Sequence, residues 1–131
     1  MTMIEWTEES KFIAISRTSH SFVIDCTSKI APGPMELVLF GVASCTGIDI
    51  VTILKKMHDD LKGLKVVIEG EVAKDFPYVY TRIKIKYLVK GNVKEKNLKK
   101  AIKLSREKYC CASIMLERGG TAFDIEYEIE P

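Results

Sequence analysis

The sequence predicts a single α+β domain, and three observations carry that reading. Residues 33–57 form a nearly unbroken apolar run, opened by Gly33-Pro34 and closed by Lys55 and Lys56, which reads as one long helix with proline in its first turn and cations at its negative end. On both sides of it lie segments with the two-residue period of a strand. The clearest is 78–89, where Arg82, Lys84 and Lys86 interleave with Ile83, Ile85 and Tyr87. Over 93–109 the period lengthens, with Val93, Leu98, Ala101 and Ile102 set among lysines, as in an amphipathic helix. A length of 131 residues suits one domain over 1–131, large enough to bury roughly two-thirds of its unfolded surface.

In order, the chain opens with short strands at 3–7, 11–16 and 22–25, separated by the turn signals Thr-Glu-Glu-Ser and Thr-Ser-His-Ser. His20 sits in the second turn and reads as a surface residue. A loop over 27–33 leads to the long helix. Within that helix only Glu36, Thr46, Asp49 and Thr52 interrupt the apolar run before the closing lysines, so it is expected to be buried on all sides. A polar break at 59–63 precedes a strand at 64–73, a turn at 74–77, the strand at 78–89 and a stop at Gly91-Asn92. After the amphipathic helix, 107–119 reads as a short third helix ended by Gly119-Gly120. A final strand at 121–129 puts Phe123, Ile125, Tyr127 and Ile129 on one face.

The 20 basic and 18 acidic residues nearly cancel, which leaves no electrostatic footprint for nucleic acid or an anionic membrane. The first residues show neither a basic start nor an apolar run, so a cytoplasmic location is expected. The apolar helix is nearly long enough to span a bilayer, but Glu36 and Asp49 would fall within the span, and no membrane partner is expected. In a reducing compartment the four cysteines, Cys26, Cys45, Cys110 and Cys111, point to reactive thiols rather than structural disulfides. No Cys-x-x-Cys spacing is present, and no metal or other cofactor is expected.

Cys45 lies at the middle of the long helix with small neighbours, Ser44 and Gly47, and with Gly41 one turn earlier. Helical side chains lean toward the N-terminus, so the surface above Cys45 is uncrowded and has room for a small substrate, with Phe40 and Gly41 as the expected binding positions. Asp49, one turn later on the same face, disfavours a thiolate there, so a cation is required. Arg17 is the first candidate, with Arg82, Arg106 and Arg118 as others. Cys110 and Cys111 would point about 100° apart if helical, so one of them at a time can face Cys45. Cys26 reads as a core residue.

These residues resemble the OsmC/Ohr family of osmotically inducible and organic hydroperoxide resistance proteins. The resemblance rests on Pro34 opening a long apolar helix, Cys45 eleven residues later in Ala43-Ser44-Cys45-Thr46, Asp49-Ile50-Val51 after it, and Cys110-Cys111-Ala112-Ser113, which is similar to the family's Cys-Pro-Val-Ser. It implies an OsmC-like fold, with a long central helix and a second helix wrapped by antiparallel-rich sheets in an intertwined homodimer whose sites lie at the subunit interface. It also implies a thiol-dependent peroxidase acting on small organic hydroperoxides or hydrogen peroxide, with Cys45 as the peroxidatic thiol, Cys110 as the resolving thiol and a dithiol as reductant. Arg17 matches the family's N-terminal arginine by position. Met35 stands where the hydroperoxide-resistance branch carries a glutamate, and Glu36 lies on the helix side opposite Cys45, so the pattern resembles an OsmC-like branch. The alternative is a protein of the same fold that binds a small hydrophobic ligand beside Cys45 without peroxidase activity.

Overall fold

Short alternating segments pair where turns bring them back on themselves, and the first three strands do so as an antiparallel meander. The computed structural model describes residues 1–131, which fall into two compact units, Met1–Phe40 and Gly41–Pro131. In the first unit, β1 (Met3–Glu8), β2 (Lys11–Ile15) and β3 (Ser21–Asp25) form a sheet in the order β1-β2-β3. Trp6 lies opposite Phe12, and Phe12 opposite Ile24. Little of this sheet is buried: Ala14 and Asp25 are, whereas Met3, Ile4, Trp6, Phe22 and Val23 are exposed.

Asp25 ends β3 and organises the loop that follows. Its Oδ1 accepts from Ser10 Oγ at 2.7 Å, Thr27 Oγ1 at 2.8 Å and the Thr27 amide at 3.0 Å. Its Oδ2 accepts from the amides of Ile30 and Lys29 at 3.1 and 3.2 Å. Cys26, expected in the core, is instead exposed just beyond the strand, because the chain turns at Asp25 and carries the next side chain outward. Arg17 and His20 lie exposed on the β2–β3 turn, where Thr18 Oγ1 and His20 Nδ1 are 3.0 Å apart.

The long helix, α1 (Pro34–Lys56), begins in the first unit and continues into the second. Its buried residues, Val42, Thr46, Gly47, Ile50 and Leu54, follow the helical repeat and mark one face. Ile48 at 60% and Phe40 at 53% are exposed on its other sides, so the expectation of a helix covered all round does not hold for a single chain. By length and composition α1 could cross a membrane, and 28% of its apolar window is buried within the chain.

In the second unit, β4 (Asp60–Val72), β5 (Tyr80–Asn92) and β6 (Ala122–Glu130) form a sheet in the order β4-β5-β6, with β4 antiparallel and β6 parallel to β5. β4 starts four residues earlier than expected, because the polar stretch from Asp60 pairs with the end of β5 across an irregularity at Leu61/Gly63. Gly91 opposes that irregularity at φ +125°, where any side chain would strike the Asp60 carbonyl oxygen. Ile83, Ile85, Tyr87 and Val89 alternate into the core. On the outer face Arg82, Lys84 and Lys86 pair with Asp124, Glu126 and Glu128 of β6 at 2.6, 3.3 and 3.1 Å. The segment expected as one helix over 93–109 is α2 (Glu95–Leu104) followed by a π turn (Ser105–Tyr109), and α3 (Cys111–Arg118) follows. α2 buries Leu98, Ala101 and Ile102.

Candidate functional site

Thr46 is a polar residue on the buried face of an apolar helix, and such a group must find a partner. It finds two. Its Oγ1 lies 2.6 Å from Tyr87 Oη on β5 and 2.7 Å from Ser105 Oγ at the start of the π turn. Ser105 Oγ donates in turn to Asp49 Oδ2 at 2.8 Å. Each hydroxyl has one proton, and the carboxylate fixes the direction: Ser105 donates to Asp49, Thr46 to Ser105, and Tyr87 to Thr46. Thr46, Tyr87 and Ser105 are completely buried, and burial pushes the Tyr87 phenol above its usual pKa.

The two thiols flank this chain. Cys45 precedes Thr46 on α1 and is partly exposed, whereas Cys110 is fully buried at the N-cap of α3. Cys110 has φ −79° and ψ 89°, outside the helical region, because the π turn ends on it: its amide donates to the Ser105 carbonyl at 2.7 Å. Cys110 Sγ accepts from the Ser113 amide at 3.5 Å. Burial raises the Cys110 thiol above its usual pKa, opposed by Ser113 and reinforced by the neighbouring Cys45 thiol. Cys45 is thus among the groups that act on the Cys110 thiol. Cys111 is the first residue of α3 and is exposed, so the two adjacent cysteines diverge between core and solvent.

Of the arginines considered as the cation, Arg82 is engaged by Asp124, Arg118 is exposed, and Arg17 lies on the turn in the other unit. Arg106 is the least exposed of them, its side chain 11% exposed, with Nη2 donating to Glu117 Oε1 at 2.9 Å and its guanidinium 4.1 Å from the centre of the Phe123 ring. Its Nη1 is buried without a partner. Gly41 has open space beside it, one helical turn before Cys45, and Phe40 is exposed in the first unit.

Residues 27–126 match the family described as OsmC-like protein. This chain belongs to the OsmC-like family. Protein YhfA of Escherichia coli strain K12 is 34% identical over 117 residues, spanning 88% of this chain and 87% of YhfA. A hypothetical protein from Aquifex aeolicus VF5 superposes with a TM-score of 0.90 at 32% identity, over 99% of this chain and 95% of that one. The organic hydroperoxide resistance protein OhrB of Bacillus subtilis shares the fold, with a TM-score of 0.64 at 15% identity over 98% of each chain. The OsmC-like assignment thus agrees with the mixed α+β architecture and with the family named from the two cysteine motifs.

Thr46, Tyr87 and Ser105 were not among the expected site residues. The signal available for them was Thr46 and Asp49 standing out in an otherwise apolar run. Their partners lie on elements whose mutual placement the sequence does not give.

Proposed function

We propose that this OsmC-like protein is a thiol-dependent peroxidase that reduces small organic hydroperoxides or hydrogen peroxide, working as a homodimer. The observation that carries the reading is that the Cys45 thiol acts on the buried Cys110 thiol although the two lie on elements distant in sequence. The Cys45 thiolate attacks the terminal oxygen of the hydroperoxide; the O–O bond breaks, and the leaving alkoxide takes a proton to become the alcohol. Cys45 is then a sulfenic acid. The Cys110 sulfur displaces its oxygen, which leaves as water with the Cys110 proton, and a Cys45–Cys110 disulfide results. A dithiol reductant restores both thiols by exchange.

Burial suits Cys110 to this order of events, because a thiol that keeps its proton does not compete for the peroxide but can still release it to the departing oxygen. Arg106 is the least exposed arginine of the unit that holds the thiols, and Arg17 is the position to which the family resemblance points. The open space beside Gly41 is where the organic part of the substrate would sit. Second copies would cover the exposed sides of α1, including Ile48 and Met35. That open space also favours a second reading, retention of a small hydrophobic ligand without turnover.

Stopped-flow mixing of the reduced protein with cumene hydroperoxide, followed by mass spectrometry, tests the proposal. The expected result is a Cys45–Cys110 disulfide in wild type and a trapped Cys45 sulfenic acid in Cys110→Ser. Absence of oxygen uptake at Cys45 in both proteins would remove the peroxidase reading. No peroxide consumed, with a ligand mass retained under native conditions in wild type and in Cys45→Ser alike, would favour the second.

A further inference from the structure

The chain Tyr87–Thr46–Ser105–Asp49 has its three hydroxyls in the core and ends on the part-buried Asp49 carboxylate, joins three elements, and reaches both cysteines through the backbone. On one side Thr46 is the residue after Cys45. On the other, Ser105 receives the Cys110 amide on its carbonyl at 2.7 Å, so one residue holds α1 with its side chain and Cys110 with its main chain. An ordinary α-helical continuation would bond each amide to the carbonyl four residues back. The π turn instead closes over five residues, from Ser105 to Cys110, and ends in a non-helical residue that points its sulfur into the core. A hydroxyl at 105 also gives this carboxylate-bound chain its direction, since Ser105 accepts from Thr46 while donating to Asp49.

We propose that Ser105 is a positioning residue, which, with Thr46 and Asp49 as its hydroxyl and carboxylate partners, fixes the backbone carrying Cys110 against the helix carrying Cys45 and thereby sets how readily their disulfide closes. This rests on the Cys45–Cys110 pairing of the proposed function, but not on reactivity toward peroxide. Its effect is geometric, on the effective concentration of one thiol at the other, and none of the three side chains touches the substrate.

The test uses thiol–disulfide exchange with glutathione, in which oxidised glutathione and the two protein thiols give the protein disulfide and two reduced glutathiones. It is run on the full chain carrying Cys26→Ser and Cys111→Ser, which removes the two exposed thiols. Ser105→Ala and Thr46→Val are each expected to lower the equilibrium constant for Cys45–Cys110 closure about tenfold, a shift of about 30 mV. Asp49→Ala should lower it likewise, and Asp49→Asn, which retains an acceptor for Ser105, should recover most of the loss. A purely structural contribution would lower the melting temperature without moving this equilibrium within the folded protein. Equilibrium constants for Ser105→Ala and Thr46→Val within twofold of the parent overturn the inference. A parent protein inert to cumene hydroperoxide, but with a glutathione equilibrium that responds to Ser105→Ala, would remove the peroxidase reading and leave the positioning role standing.

Discussion

Asp25 shows how much one side chain can organise. Five donors converge on its carboxylate: two hydroxyls and three amides of the loop after β3. They hold its pKa well below the usual carboxylate range, the Ser10 hydroxyl contributing most and the Thr27 amide next, with burial opposing them. A carboxylate depressed in the folded state stabilises the fold above its unfolded pKa, about 3.9, and that contribution is lost as pH falls toward the folded value. Urea unfolding followed from pH 6 to pH 2 should therefore show stability declining below about pH 4 in wild type, and a shallower decline in Asp25→Asn. An identical slope in the two proteins would contradict the assigned role. The same scale shows the limit of the sequence. The Cys45 and Cys110 motifs were readable because each carries its neighbours with it. Ser105 and Tyr87 were not, because a lone serine at the end of a lysine-rich helix and a tyrosine in an alternating strand fit their local patterns equally well with or without a partner.

Elements were legible to the extent that their period was local. The strand alternation of β5 and the apolar length of α1 gave both nearly complete, and the outer lysines of β5 proved to be a solvated ladder against β6. The π turn was hidden, because helical spacing continues through it and the single extra residue alters hydrogen bonding without altering composition. The early start of β4 was hidden by its polar residues, which lie beside an irregularity that only the partner strand reveals. The difference between core and ladder should be measurable. Leu54→Ala on the buried face of α1 is expected to cost about 2–5 kcal/mol in denaturant unfolding, and Lys84→Ala, half-exposed in the ladder, less than about 1 kcal/mol. Comparable losses for both would mean that the buried face of α1 is not where the stability resides.

For the molecule as a whole, the unfinished surface is the informative feature. α1 exposes Met35, Phe40 and Ile48, and the first unit exposes Met3, Ile4, Trp6, Phe22 and Val23. A second copy of the chain would cover such faces, and light scattering is expected to give twice the 14.8 kDa chain mass. Ile48→Glu should shift the protein toward the single-chain mass or cause it to aggregate, and an unchanged mass distribution in that variant would place the contact elsewhere. The residue pattern led to the expectation of a helix covered on all sides, whereas the chain by itself covers one face of it.

The parallel pairing of β6 with β5 has a mechanical consequence. A chain that leaves one strand and re-enters the sheet alongside it in the same direction must first travel back the full length of that strand, so α2, the π turn and α3 form an arch anchored at both feet. Cys110 sits on that span, not on a free end. Any bond drawn from it loads the arch against two fixed supports, and the sheet itself bears the reaction.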